Sequence, residues 1–144
     1  MESQNFSNHA QLVTGYHKIL LPVLLLTFIG SCVNLYMSLG DHQRLYSASL
    51  LVVLSACLMA LSIYARVFAL KAQDRAIRAE ENLRHYLQTG KLLDARLSPQ
   101  QIVALRFASD GEFAALAARA AESAMAPVEI KKAVTAWRAD LYRA

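Results

Sequence analysis

The residues best suited to chemistry lie near the end of the chain, where basic, acidic and aromatic side chains occur together. They are Arg106, Asp110, Lys131, Lys132, Trp137, Arg138 and Asp140. Tryptophan beside arginine is a composition typical of interface hot spots, which would make this set a binding face. The alternative is a core tryptophan flanked by ion pairs that hold a small bundle together. We favour the second interpretation, since surface ion pairs are common and individually weak.

Two histidines near the start of the chain could aim their imidazoles at one place. They lie on a segment whose apolar residues share one helical face, which is typical of an interfacial helix. We therefore predict interfacial positions for His9 and His17. Arg66 is predicted to be interfacial for another reason, because it ends the second apolar run and can reach toward the lipid phosphates. A divalent ion would need three or four ligands, and Glu2 and His85 are not fixed nearby by the sequence. No metal and no cofactor is expected.

Catalytic motifs are absent from the sequence. It contains no nucleophile elbow, P-loop, glycine-rich dinucleotide turn or HExxH helix. Cys32 and Cys57 lie in apolar segments, where burial suppresses thiol reactivity. Catalysis is left without a candidate residue, so we expect a protein that is not an enzyme.

The composition departs from that of ordinary soluble domains. The 144 residues are 56% hydrophobic and 18% charged, against about 45–50% and about 25% in typical soluble domains. The apolar excess falls in the first half of the chain. The remainder is too short for a large enzyme core, and two cysteines cannot form a disulfide scaffold.

Two uncharged runs predict membrane spans. Residues 19–39 and 45–65 contain no Asp, Glu, Lys, Arg or His, and as helices they reach about 30 Å, the thickness of the hydrocarbon core. We place the spans at about 19–39 and 45–67. Because the link at 40–44 is short and polar, the two helices must form an antiparallel hairpin over residues 19–70.

Small and weakly polar residues within the runs are candidates for contacts between the spans. They are Gly30, Asn34, Ser55, Ala56 and Ala60. Small residues let membrane helices approach closely, and hydroxyl groups bond across them. Asn34 alone is strongly polar and could instead mark an oligomer contact. No charge lies within the runs, which disfavours a proton relay.

Basic residues predict the orientation. Arg44 lies in the link, whereas Lys18 precedes the first span, and five basic residues follow closely after the second: Arg66, Lys71, Arg75, Arg78 and Arg84. The positive-inside rule then places both termini in the cytoplasm. Residues 1–18 form an interfacial segment, and the basic excess favours anionic lipid at roughly 1 kcal/mol per residue.

Residues 71–144 are predicted to form a cytoplasmic stalk and a helical cap. Residues 71–88 lack Gly and Pro, pair Glu80 with Arg84 at i,i+4, and end near Gly90. Short helices then start at Ser98, Ser109 and Pro127, the first two with capping boxes. The last helix would bury Ile130, Ala133, Val134, Trp137 and Leu141. The fold class is therefore all-α.

The turn at residues 108–111 could belong to a helix-turn-helix module with 112–123 as its reading helix. Such a helix must present Arg, Lys, Asn or Gln to base edges. This one offers only Arg119, and residues 71–144 carry only a slight basic excess. A nucleic-acid partner is therefore the weaker alternative.

Five segments of the chain resemble a family of small bacterial two-span membrane proteins of unknown function. They are QNFSNH at 4–9, ARVFALKAQDRAIR at 65–78, LRFASD at 105–110, IKKAV at 130–134 and WRAD at 137–140. The resemblance covers nearly the whole chain. It implies an integral bacterial membrane protein and brings no activity with it.

These patterns lead to one functional expectation and two alternatives. We expect a non-catalytic accessory or scaffold subunit, because the cap is near the size at which a single core is marginal and its helices have flat, alanine-rich faces. Its partners would be the bilayer and other membrane proteins in a larger complex, or further copies of the chain by self-association. The alternatives are a membrane-tethered nucleic-acid reader and a homo-oligomer that forms a pore or a cofactor site.

Overall fold

A computed structural model describes residues 4–8 and 12–140 of the chain. Its helices are α1 (Leu21–Met37), α2 (His42–Thr89), α3 (Pro99–Leu105), α4 (Asp110–Glu122) and α5 (Pro127–Ala133), with a π-helical turn, Gly15–Leu20, before α1. The predicted all-α class is confirmed. The chain divides into two compact units, Leu12–Ala69 and Leu70–Ala144 together with Met1–Gln11. The helix α2 contributes to both units.

The first helix begins before the predicted span, and a proline explains its geometry. Pro22 has no backbone N–H, and its ring would clash with the carbonyl four residues earlier in a regular α-helix. The turn Gly15–Leu20 is π-helical, and the amide of Leu21 donates to the carbonyl of Tyr16 five residues back. A widened turn directly before a proline accommodates both the clash and the missing donor.

The two apolar helices of the first unit form a hairpin, closed by a turn in which Gly40 has φ +96°. The least exposed positions recur every three or four residues on each helix. They include Leu24, Phe28, Ser31 and Leu35 of α1, Ser38 directly after it, and Leu45, Ala48, Val52, Ser55, Met59 and Ser62 of α2. At the centre of this seam the hydroxyl oxygens of Ser31 and Ser55 lie 3.0 Å apart.

Two helices are long and apolar enough to cross a membrane: Gly15–Met37 and the first part of His42–Thr89. None of the apolar stretch of the first is buried inside the protein, and only 11% of that of the second is. The core helix of a soluble protein would be mostly buried. Each stretch instead presents large apolar side chains on its outer surface, as a membrane span does.

The second unit has a compact helical cap. Phe107, Phe113, Leu105 and Ile130 are its largest fully buried side chains. The predicted capping box at the start of α3 is confirmed, because the Gln101 amide donates to Ser98 Oγ at 3.3 Å and the Ser98 amide donates to Gln101 Oε1 at 2.7 Å. The capped start of α3 and the buried apolar cluster both stabilise this small unit.

The prediction of a last helix reaching Leu141 is wrong. The helix α5 ends at Ala133, and Val134 is extended with ψ 121°; Leu141 itself lies outside the described residues. Residues 134–140, here called the C-terminal strap, run antiparallel beside Phe107 and Ser109. The Arg138 amide donates to the Phe107 carbonyl at 2.7 Å, and the Ser109 amide donates to that of Ala136 at 3.0 Å. The amides of Thr135 and Ala136 bind the Glu112 carboxylate instead of helical carbonyls.

Candidate functional site

A buried carboxylate on α2 is the centre of the polar cluster in the second unit. Glu81 is only 4% exposed. Arg84 lies one turn further along α2, and its Nη1 donates to Glu81 Oε2 at 2.9 Å. Arg138 of the C-terminal strap places Nη1 3.5 Å from Glu81 Oε1. A buried charge requires such partners, so Glu81 joins the strap to α2.

Arg84 connects α2 to the start of α4. Its Nε donates to Asp110 Oδ1 at 2.7 Å, and its Nη2 donates to the Ala108 carbonyl at 2.7 Å. Its guanidinium carbon lies 4.2 Å from the centroid of the Phe113 ring. The predicted pairing of Arg84 with Glu80 is therefore wrong, because the guanidinium turns toward the cap and bonds Glu81.

A second ion pair closes the other side of the strap. Arg106 Nε lies 2.9 Å from Asp140 Oδ2, and the Arg106 side chain is only 10% exposed. The Asp140 amide donates to Gln4 Oε1 at 2.8 Å, so the strap also holds the N-terminal segment. A contact of Gln4 with the strap was not predictable, because an isolated amide side chain has no spacing pattern that indicates its partner.

Aromatic rings support the remaining predicted residues. The Trp137 ring packs on Phe107 with centroids 4.9 Å apart. Lys131 Nζ lies 5.8 Å from the Phe107 centroid, and Lys132 Nζ lies 5.6 Å from that of Phe6. The structure thus gathers the predicted set around the strap, where cation–π contacts join Lys131 to the cap and Lys132 to the N-terminal segment.

A cleft of about 280 Å³ lies beside the strap. Its lining includes Gln73, Ile77, Glu81, Arg106, Arg138 and Asp140. The guanidinium groups at its wall already bond carboxylates of the same unit. The arrangement therefore acts as a fastening that holds helices, strap and N-terminal segment together, and its positive and negative charges compensate one another locally.

Two carboxylates at the start of α4 are stabilised in their charged form. Hydrogen bonds from Arg84 lower the pKa of Asp110. Burial tends to raise the pKa of Glu112, but hydrogen bonds from Thr135, the Ala136 amide and the Ser109 amide outweigh it and the pKa is lowered. Asp110 and Glu112 therefore both remain ionised at neutral pH. Elsewhere in the cap, the Arg96 guanidinium lowers the pKa of Asp94 to about 2.

The residues predicted to join the spans separate into two groups. Ser55 lies in the seam, where it meets Ser31. The others, Gly30, Asn34, Ala56 and Ala60, lie on exposed faces of the helices. Their smallness alone did not fix their direction, which follows from the three- and four-residue recurrence of the seam.

An open groove of about 330 Å³ runs along the hairpin beside this seam. Thr27, Gly30, Asn34, Leu51, Leu54 and Leu58 line it together with the seam serines. A Cβ atom added at Gly30 would meet nothing within 4 Å. The polar side chains of the groove are the two seam serines, which contact each other, Thr27, whose hydroxyl donates to the Val23 carbonyl, and Asn34.

Two of the predicted interfacial residues, His17 and Arg66, each contact Tyr16 at the end of the hairpin away from its turn. His17 Nδ1 lies 3.1 Å from the Val13 carbonyl. The Tyr16 hydroxyl donates to the Ser62 carbonyl at 2.8 Å, and the Arg66 guanidinium lies 5.9 Å from the Tyr16 ring centroid. Tyr16 was missed from the sequence, although an aromatic at a span end is a known signal. His9 lies outside the described residues.

Fold and site together define an all-helical protein with two helices of membrane-spanning length and a cap fastened by ion pairs. The chain belongs to a family of unknown function, DUF6526, which it matches over residues 1–144. No curated protein and no solved structure matches it. The predicted resemblance to a family of unknown function is thereby confirmed, and any function must be argued from the residues.

Proposed function

We propose that this protein is a non-catalytic integral membrane protein, an accessory or scaffold subunit that binds other membrane proteins through its hairpin. The observation that supports this proposal is the exposed carboxamide of Asn34 in the groove between α1 and α2. No hydrogen bond joins this side chain to the described residues, 4–8 and 12–140. It offers both donors and an acceptor to the surroundings of the hairpin.

Hydrocarbon makes an exposed amide unfavourable. Lipid tails cannot hydrogen-bond, so a polar side chain at this position is stabilised when another helix supplies a partner, typically by about 1 kcal/mol. Gly30 lies one turn before Asn34 on the same side, and the space over it is open. A partner helix can approach the backbone there closely, as small residues allow in membranes.

The proposed location is a bacterial inner membrane, with both spans crossing it and both termini in the cytoplasm. Arg44 lies in the first turn of α2, next to the connection between α1 and α2, and contacts Asp41 at 3.3 Å. Far more basic residues follow the apolar part of α2. Positive charge is retained on the cytoplasmic side, which supports this orientation.

The experiment is purification of the tagged full chain from native membranes in mild detergent, followed by identification of bound proteins. We expect a stoichiometric membrane partner that Asn34→Leu loses. Val33→Leu is the matched control, because Val33 is exposed on a neighbouring face of α1 and already apolar. A preparation with no bound protein, or equal retention by both variants, would contradict the proposal.

Nucleic-acid binding remains a second proposal with less support. The helix α4 has one basic side chain, Arg119, and its Phe113, Leu116 and Ala117 are turned into the core. A reading helix needs several polar side chains directed outward. Salt-dependent retention of the full chain on duplex DNA would favour this alternative, and no retention at low salt would eliminate it.

A further inference from the structure

The part of α2 that belongs to the second unit has two different faces. Ile77, Glu81 and Arg84 point toward the cap and are buried or nearly so. Away from these side chains six residues form an exposed apolar stripe, here called the outer stripe: Ala72, Ala76, Ala79, Leu83, Tyr86 and Leu87. Ala76 lies at the edge of the stripe, where it also lines the cleft beside the strap. Leu83 is 58% exposed and Leu87 76%. The cap thus leaves one apolar face of this helix uncovered.

The spacing of the outer stripe is that of a coiled-coil seam. Ala72, Ala79 and Tyr86 fall at d positions, and Ala76 and Leu83 at a positions, of one continuous heptad register. Alanines at such positions let two helix backbones come close together. The face is therefore shaped to receive another helix of the same kind.

Charges beside the stripe are complementary to those of a second copy. In this register Arg75 occupies a g position and Glu80 the e position of the following heptad. In a parallel pair, g of one helix meets the following e of its partner, so Arg75 of each copy faces Glu80 of the other. Neither side chain forms an ion pair with the described residues of its own chain. Because the pair is symmetric, the contact between Arg75 of one copy and Glu80 of the other forms twice.

We propose that the outer stripe of α2 is a self-association surface, through which two copies of this chain pair in parallel by a short coiled coil. The step rests on the membrane insertion proposed above, which holds both copies in one plane with α2 running in the same direction. Confinement to the membrane raises the effective concentration, so even a seam with few large side chains suffices.

Disulfide trapping in native membranes tests the pairing. The full chain would carry Cys32→Ala and Cys57→Ala, leaving it without cysteine, and then Ala79→Cys in the seam. A disulfide needs Cα atoms within about 7 Å, which two d positions satisfy across a parallel pair. We expect a linked dimer of twice the 15.9 kDa chain mass on mild oxidation.

The matched control is Arg78→Cys, which is exposed on the same helix but about 100° away from Ala79. It should remain monomeric under the same oxidation. No dimer from Ala79→Cys, or equal amounts from both variants, would overturn the proposal. A product joining Ala79→Cys to a different protein would also overturn it, and would leave the accessory role standing.

Charge reversal tests the register independently. In the Ala79→Cys chain, Arg75→Glu or Glu80→Arg alone should slow dimer trapping roughly threefold or more, because each substitution creates two like-charge contacts. The double variant restores the two unlike pairs and should recover the original rate. Unchanged rates in the single variants, or no recovery in the double variant, would overturn the parallel pairing.

Discussion

At the scale of single residues, the polar residues around the C-terminal strap have a structural role because their charged side chains bond one another. The sequence pointed to Arg106, Arg138 and Asp140 by composition alone. It could not identify Glu81, since a glutamate on a charged helix looks solvated until the fold turns it inward. Burial of Glu81 depends on the strap, more than fifty residues later in the chain, and local spacing carries no information about such a contact.

Removal of the Glu81 charge should loosen the strap. We expect Glu81→Gln to lower the stability of the cap by about 2 kcal/mol, less than for a fully broken buried pair because Arg84 keeps Asp110. Trp137 is the only tryptophan, and it stacks on Phe107, so its fluorescence during thermal unfolding reports the loss. Glu122→Gln removes the same charge from an exposed position and should leave the midpoint unchanged. Equal midpoints for both variants would count against the fastening role.

Glu112 should make the stability of the cap depend on pH. Its pKa is lowered below the usual value of 4.5, so its contribution is complete above that value and is lost as pH falls through the lower, folded pKa. The native chain should be more stable than Glu112→Gln by about 1 kcal/mol at pH 7. This difference in the free energy of unfolding is kept small because the carboxylate is partly solvated. The difference should shrink toward zero in acid. A difference that grows in acid would contradict the assignment.

At the scale of helices, ends marked by local chemistry were predictable and ends set by distant contacts were not. The capping box at Ser98 and the stop at Gly90 are local and are confirmed. The end of α5 was placed too late, because Trp137 continues the helical spacing of Ile130 and Val134. The Glu112 carboxylate instead takes the amides of Thr135 and Ala136, and this contact lies more than twenty residues away.

Two glycines offer a matched test of helix ends. Gly90 has φ +73° directly after α2, a conformation that costs an L residue about 1–2 kcal/mol, so Gly90→Ala should destabilise the cap by about 1 kcal/mol. Gly111 lies inside the first turn of α4 with open space around its Cβ position. Gly111→Ala should be neutral or slightly stabilising. Thermal unfolding followed by circular dichroism distinguishes the two, and equal losses would contradict the conformational argument.

At the scale of the whole molecule, hydropathy and link length predicted the helical hairpin, because length and apolarity are properties of the sequence alone. Which residues of each apolar helix face the other helix was not predictable, since Gly30 and Asn34 were expected at the contact and are exposed. Small residues fit either a seam or an exposed face. Only the packed hairpin distinguishes a seam residue from an exposed one, because there Ser31 and Ser55 contact each other across the seam.

The proposed topology, in which both apolar helices cross a membrane with the turn on one side and the cap on the other, can be tested most directly by labelling. A membrane-impermeant maleimide tests it in intact bacterial cells, with single cysteines placed in a chain lacking Cys32 and Cys57. We predict that Gln43→Cys, in the exposed turn region, is labelled at once, and that Ala118→Cys, exposed on α4, is labelled only after permeabilisation. Equal labelling of the two positions in intact cells would contradict the account.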